Sequence, residues 1–182
     1  MILALSGSLR RSSLNSAALR AAARAAARSG ISVRLDESAR GLPPFDPDLE
    51  ADPPTNVQHF RATCVQAEAV LFAVPEYAFG IPGAFKNVLD WTVGSGALYR
   101  KPVAVLSVAP SGRGAQVRRA LELVLTALDC SASWHHIPIH PSHLDDGEIH
   151  DGDTVGELAA MFEALARRRQ DRSDAAESAL SA

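Results

Sequence analysis

Short apolar and β-branched runs recur along the chain, separated by longer stretches in which apolar positions repeat at helical spacing. The runs cover Ile2 to Leu5, Ser32 to Leu35, Ala69 to Val74 and Val103 to Ser107, with a weaker fifth from Trp134 to Ile139. Runs that are apolar almost throughout are typical of strands buried on both faces of a parallel sheet. The pattern therefore predicts five strands.

Segments with helical patterns follow these strands. The predicted helices cover Ser16 to Arg28, Val57 to Ala67, Ala84 to Trp91, Ala115 to Leu128 and Thr154 to Arg169. Regular alternation of strands and helices is typical of right-handed βαβ units that place helices on both faces of one sheet. We therefore expect an α/β fold, with a doubly wound parallel five-stranded sheet as the middle of three layers.

Length and composition fit one globular domain. The chain has 182 residues, of which 47% are hydrophobic and 21% are charged, and its formal net charge is -3. This balance argues against disorder and against nucleic acid as a partner, and no long apolar run predicts a membrane span. The two cysteines, Cys64 and Cys130, are too few for a disulfide framework, so a cytoplasmic location is expected.

Two segments lack a periodic apolar pattern. Residues 41–56 are rich in proline and predict a long irregular loop before the second helix. Residues 170–182 are small and polar, which predicts a flexible C-terminal tail. We therefore place a single domain at residues 1–169.

The loop after the first strand, Gly7 to Asn15, has the composition of an anion site. It reads GSLRRSSLN and lies between a strand and a helix. Unpaired backbone N–H groups and the positive end of the helix dipole meet there, and Ser, Asn and Arg side chains add donors. The loop matches neither a P-loop nor a dinucleotide fingerprint, so a single phosphate is favoured. The alternative is that Asn15 or Ser16 only caps the helix and the arginines are solvated.

A second motif follows the third strand. Residues 75–91 read PEYxxGIPGxxKNxLDW. Together with GSLRRSSLN, this string resembles the NADPH-dependent FMN reductase family, a flavodoxin-like group that includes quinone, chromate and azo reductases. The resemblance implies the sheet order 2-1-3-4-5, in which the loops after strands one and three meet at one crevice.

The resemblance also implies where FMN binds and which residues hold it. In the family the first loop binds the FMN phosphate, while the second loop contacts the flavin ring mainly through its backbone. Carried over by motif position, the first loop gives Ser8, Arg10, Ser13, Asn15 and Ser16, and the second gives Pro75, Glu76, Tyr77, Ala78, Phe79 and Gly80. Ala78 and Gly80 stand where Asn and Ser are frequent, so backbone contacts are expected to replace side-chain contacts there.

A third loop enters the same crevice after the fourth strand. The family often has a glycine-rich turn at this place, which implicates Ser111 and Gly112. Without the resemblance, this loop is equally well explained as an ordinary turn whose glycines adopt positive φ.

The resemblance implies an enzyme that transfers hydride from NADPH, or from NADH, to bound FMN and then reduces an acceptor. The acceptor classes are quinones, free flavin, azo compounds and metal oxyanions. No catalytic side chain is expected, because the flavin carries the chemistry. Family members generally form homodimers or homotetramers. The alternative is a flavodoxin-like electron-transfer or flavin-binding protein without nicotinamide activity.

Histidines and acidic residues are frequent between residues 135 and 153. No HExxH motif or comparable metal-ligand spacing occurs there, so we interpret this segment as solvated loop and expect no metal. Cys64 lies in the second predicted helix, without an arginine-bearing loop that would activate it, and a buried apolar role is expected. Asn87, Asp90 and Trp91 are assigned to packing or to a subunit interface rather than to catalysis.

Overall fold

Five parallel strands form the central sheet in the computed structural model, which describes residues 1–180, with side chains through residue 171. The strands are β1 Ile2–Ser6, β2 Val33–Asp36, β3 Ala69–Ala73, β4 Pro102–Ser107 and β5 Ser131–His136. They lie in the order β2-β1-β3-β4-β5, and each neighbouring pair is parallel. This topology confirms the predicted doubly wound α/β fold and its strand order.

Helices cover both faces of this sheet. They are α1 Leu14–Arg28, α2 Thr55–Gln66, α3 Gly83–Val93, α4 Ala115–Ala127 and α5 Gly152–Leu180. Successive strand residues point to opposite faces, so Leu3 packs in one hydrophobic cluster with α2, α3 and α4, whereas Ile2 packs in another with α1 and α5. The protein therefore has the expected three layers. No helix within residues 1–180 combines the length and the apolar character needed to cross a membrane.

Two predicted elements differ most from the structure, at the limits of β5 and at the end of α5. The strand β5 begins at Ser131 rather than Trp134, because parallel pairing with β4 sets its register and aligns Val105 with Trp134. Ile137 and Ile139 were included in the predicted strand because they are apolar. They lie after the end of β5 and are buried against α1 and α5. The helix α5 continues past Arg169 to Leu180, and the predicted flexibility of residues 170–182 stays a prediction, with 181–182 outside the described residues.

The segment rich in histidine and acidic residues contains a small hairpin, β6 Leu144–Asp145 and β7 Glu148–Ile149, which the sequence did not predict. Glu148 joins it to α1 by accepting a hydrogen bond from Arg20 Nε at 2.7 Å and pairing with Arg24. Burial raises the pKa of Glu148, but both arginines outweigh this effect and hold it below its usual value. The hairpin therefore docks on α1 through a charged contact.

The proline-rich segment 41–56 packs on α3 and includes a short 3₁₀ turn, Pro47–Leu49. The Asn87 side chain donates to Pro43 O at 2.8 Å and accepts from Phe45 N at 2.7 Å. Trp91 Nε1 also donates to Pro43 O, at 2.8 Å, and the Phe45 ring meets the Trp91 ring edge-on at 5.0 Å. Packing within one chain thus accounts for Asn87 and Trp91.

Arg61 ties the same segment to α2. Its guanidinium donates to both carboxylate oxygens of Glu50, at 2.8 and 2.7 Å, and to Trp91 O at 2.7 Å. Only 12% of the Arg61 side chain is exposed, and its guanidinium lies over the Trp91 ring. The Arg61 side chain, with Nη2 donating to both Glu50 oxygens and Nε donating to Trp91 O, therefore joins the loop, α2 and α3.

Candidate functional site

Three loops meet at the carboxyl edge of the sheet, after β1, β3 and β4. Gly7 N donates to Ala73 O at 2.8 Å, and Val74 N donates to Leu106 O at 3.1 Å, so the loops begin side by side. A Cβ on Gly7 would lie 3.0 Å from Val74 Cγ1 and 3.2 Å from Pro75 Cδ. A side chain at this position would therefore require the second loop to shift by a few tenths of an ångström.

The first loop is held by its own hydroxyl groups. Ser13 is the N-cap of α1, and its Oγ accepts from Ser16 N at 3.4 Å. Ser8 Oγ accepts from Arg10 N at 3.3 Å, and Arg10 Nε donates to Ser12 Oγ at 3.0 Å. The helix thus starts at Leu14, earlier than predicted, and capping by Asn15 or Ser16 was the wrong alternative.

A cavity of about 280 Å³ lies where the three loops converge. Ser8 Oγ in the first loop and Tyr77 Oη in the second loop form a hydrogen bond of 3.3 Å across this cavity. The predicted site residues that line it are Ser8, Arg10, Ser13, Asn15, Pro75, Glu76 and Tyr77. Two separate sequence motifs thus contribute to one concave site, as expected from the sheet order.

The other predicted site residues lie around this cavity without lining it. Ser16 donates to Ser6 Oγ at 3.0 Å and lines a small neighbouring pocket next to β2. Ser111 and Gly112 line a second cavity of about 330 Å³ under α4, whose apolar wall includes Trp134. Ala78, Phe79 and Gly80 form an outer turn of the second loop. Binding by these residues stays a prediction.

That outer turn is strained. Tyr77 N donates to Gly80 O at 3.2 Å and Gly80 N donates to Tyr77 O at 3.0 Å, which closes a two-residue turn. Its central residues, Ala78 and Phe79, have φ angles of 49° and 59°, and Phe79 is 82% exposed. Turns of this kind favour Asn and Gly, because other side chains crowd the backbone at positive φ.

Replacing Ala78 with asparagine should therefore raise the free energy of unfolding by about 1 kcal/mol, because asparagine tolerates this backbone conformation better. Urea unfolding followed by circular dichroism measures the change. Ala120→Gly on α4 is the control, and it should lower stability by about 0.5–1 kcal/mol through helix propensity. Destabilisation by Ala78→Asn would contradict the strain argument.

Glu76 extends from the second loop to the helix that follows the third. Its Oε2 accepts from Gln116 N at 2.9 Å and from Val117 N at 3.0 Å. The N-cap position of α4 is Gly114, which has a φ of 93° and offers no side-chain cap. The absence of a capping side chain before α4 was the only sequence signal for this contact, and it did not identify the partner.

Arg113 is a cavity residue that sequence reasoning missed. It lines both the 280 Å³ cavity and the 330 Å³ cavity, so it stands between them on the third loop. The sequence signal for this residue was its position between Gly112 and Gly114 in a loop expected at the crevice. Ser12 also lines the first cavity, which adds a hydroxyl group to the set expected from the first loop.

His135, His136 and Cys64 lie outside the 280 Å³ cavity. His136 Nε2 lies 2.9 Å from Ala109 O, and burial together with nearby Arg168 lowers the pKa of His135. Across the described residues, no three His, Cys, Asp or Glu side chains are grouped as metal ligands would be. Cys64 is buried among apolar residues, and burial raises its pKa to about 12, which leaves it a poor nucleophile.

Comparisons with known proteins agree with this geometry. The family model described as NADPH-dependent FMN reductase matches residues 1–137. A probable NADPH:quinone oxidoreductase 1 of Oryza sativa subsp. japonica is 38% identical over 133 residues, which cover 70% of this chain and 68% of the relative. A quinone reductase of Pseudomonas putida is 38% identical over 112 residues, or 59% of each chain.

A solved structure extends the likeness to the whole fold. The flavoenzyme NAD(P)H:(acceptor) oxidoreductase FerB from Paracoccus denitrificans superimposes with a TM-score of 0.81 at 26% sequence identity. The match covers 93% of this chain and 97% of that structure. With the family model and the relatives, it confirms what the two loop motifs predicted. The chain therefore belongs to the NADPH-dependent FMN reductase family of flavodoxin-like oxidoreductases.

Proposed function

We propose that this protein binds one FMN across the three loops and uses it to pass electrons from NADPH to a quinone-type acceptor. The observation that carries the proposal is the cavity in which Ser8, Arg10, Ser13 and Asn15 face Pro75 and Tyr77. Family membership supplies the cofactor and the hydride donor. The relatives named as quinone reductases support a quinone as the acceptor.

The donors of the first loop suit a phosphate. The first turn of α1 leaves the N–H groups of Leu14 and Asn15 without acceptors in the helix, and the helix dipole favours negative charge there. Arg10 supplies a positive charge on the same wall. A phosphate bound here would accept hydrogen bonds from backbone, hydroxyl and guanidinium groups together.

Asn15 provides an independent test of the fit. The residue is 6% exposed and lines the cavity, yet its buried Oδ1 has no hydrogen-bond partner among the described residues. A half-turn of the amide exchanges this oxygen for the Nδ2 donor. A phosphoryl or ribityl oxygen in the cavity would then give Asn15 the partner that the protein does not provide.

The other two loops would position the ring. Bound FMN supplies the redox chemistry by accepting a hydride from the nicotinamide and returning electrons to the acceptor. Pro75 and Tyr77 form one wall beside it, and Ala109, Pro110 and Arg113 form the other. An open crevice of this kind lets donor and acceptor use the same face in turn, which is the arrangement for ping-pong kinetics.

Flavin titration and steady-state kinetics test the proposal. Purified protein should bind FMN with a change in its visible spectrum, and the loaded protein should oxidise NADPH with a quinone in a ping-pong pattern. Failure to bind micromolar FMN would refute the proposal. Flavin binding without reduction by NADPH would favour the electron-transfer alternative. Homo-oligomeric assembly and a cytoplasmic location stay predictions.

Arg10→Ala should weaken FMN binding by about tenfold, because it removes one charge-assisted hydrogen bond to the phosphate. Fluorescence titration measures the dissociation constant. Arg11→Ala is the matched control, because Arg11 is exposed and lies outside the cavity lining. Equal affinities for wild type and Arg10→Ala would instead assign the anchor to the serines and backbone amides.

A further inference from the structure

Glu76 joins two walls of the crevice that are far apart in sequence. It follows β3 in the second loop, and its carboxylate accepts from the second and third residues of α4, Gln116 and Val117. We propose that Glu76 is a positioning residue that caps α4 and thereby fixes the second loop against the third. The consequence for flavin binding rests on the proposed function.

The helix α4 depends on this carboxylate because its own sequence offers no substitute. Its N-cap position is glycine, and its first turn contains no acidic residue. The first N–H groups of a helix lack internal acceptors, and a negative charge near them interacts favourably with the helix dipole. Glu76 provides both the acceptor and the charge, although it lies outside the helix and about 40 residues before it in the sequence.

The third loop needs such an anchor. Gly112 and Gly114 have φ angles of 80° and 93°, so the loop contains residues of high conformational freedom just before α4. Its internal backbone hydrogen bond runs from Arg113 N to Pro110 O at 3.1 Å. At its start the loop continues from β4 and is bonded to the segment after β5, where Ile139 N donates to Val108 O at 3.1 Å and His136 Nε2 lies 2.9 Å from Ala109 O. At its other end, Glu76 holds the helix that follows it.

The contact therefore determines the width of the cavity. Pro75, Glu76 and Tyr77 form the wall on the second loop, while Ala109, Pro110 and Arg113 form the wall on the third. If the cap is lost, the first turn of α4 can fray and the third loop can move away from the second. Only the fraction of molecules with the walls in place would then bind flavin at full affinity.

Hydrogen exchange in the full chain without added flavin tests the cap directly. In Glu76→Ala, the amides of Gln116 and Val117 should exchange at least about tenfold faster, because two charge-assisted hydrogen bonds are lost. The amide of Arg113, which donates to Pro110 O in the third loop, should also exchange faster. Glu76→Gln should give an intermediate rate, since its side-chain oxygen still accepts but carries no charge.

The control variant is Glu122→Gln, on the same helix. Glu122 accepts from Arg118 Nε at 3.0 Å in an exposed pair. Glu122 itself lines neither cavity, although Arg118 lines the second one. In Glu122→Gln, the amides of Gln116 and Val117 should exchange at the wild-type rate. Unchanged exchange at these two amides in Glu76→Ala would overturn the cap, and faster exchange across the entire sheet would show general destabilisation instead of positioning.

Flavin binding tests the second part of the inference. Glu76→Ala should raise the FMN dissociation constant by about tenfold, and saturating FMN should restore much of the exchange protection at 109–117. Loss of affinity with unchanged exchange would make Glu76 a direct ligand and overturn its positioning role. If wild type binds no FMN, the proposed function fails, while the exchange result still decides the cap.

Discussion

Arg61→Ala should lower the free energy of unfolding by about 3 kcal/mol, the low end of the usual cost of removing one partner from a buried ion pair, because the Glu50 side chain is 29% exposed. The substitution strands the Glu50 carboxylate and leaves Trp91 O without its side-chain donor. It also removes the guanidinium that lies over the Trp91 ring. Denaturant unfolding followed by tryptophan fluorescence measures the loss.

Two further variants separate the ion pair from ordinary surface effects. Arg167→Ala removes an exposed partner of Glu163 on α5, and it should cost less than about 0.5 kcal/mol. Adding Glu50→Gln to Arg61→Ala should recover part of the loss, because the stranded charge disappears. A cost for Arg61→Ala no larger than that for Arg167→Ala would show that the proline-rich loop does not depend on this contact.

Gly7→Val should lower the free energy of unfolding by about 3 kcal/mol and Gly7→Ala by less, because the added atoms would push the first loop away from the second. The backbone at Val74 limits any adjustment, since its Cα would lie only 3.2 Å from a new Cβ. FMN affinity should fall in the same order, because the displaced loop carries the phosphate donors. Thermal unfolding and flavin titration measure the two effects.

The matched control is Gly156→Ala, in the helix α5. A Cβ there meets nothing within 4 Å, and alanine favours helix, so stability should rise by about 0.5–1 kcal/mol. If Gly7→Val bound FMN as tightly as wild type, the close approach of the two loops would not matter for the site.

The fold could be predicted because its three central strands, β1, β3 and β4, are buried on both faces. Runs such as Val70–Phe72 are apolar throughout, and alternation with helices leaves few topologies open. The limits of β5 could not be predicted in this way. Ile137 and Ile139 are as apolar as strand residues, and only pairing with β4 shows that the strand ends before them.

In the candidate site, too, local motifs could be found from the sequence, whereas contacts that depend on tertiary packing could not. The first-loop donors and Tyr77 could be located from sequence, because they lie in two local motifs that the sheet order brings together. The contact from Glu76 to Gln116 could not, because nothing near either residue specifies the other. The same holds for Trp91 and Pro43, whose hydrogen bond depends on how an irregular loop packs.

The Glu76 contact also makes the two ends of the crevice different in charge. Two helices, α1 and α4, begin beside it, and the positive end of each would attract an anion. Glu76 already neutralises the start of α4. If FMN binds in this crevice as proposed, we therefore expect its phosphate at α1 and its ring toward α4. The reversed orientation would place the phosphate next to the carboxylate of Glu76, and repulsion between the two negative charges would disfavour it.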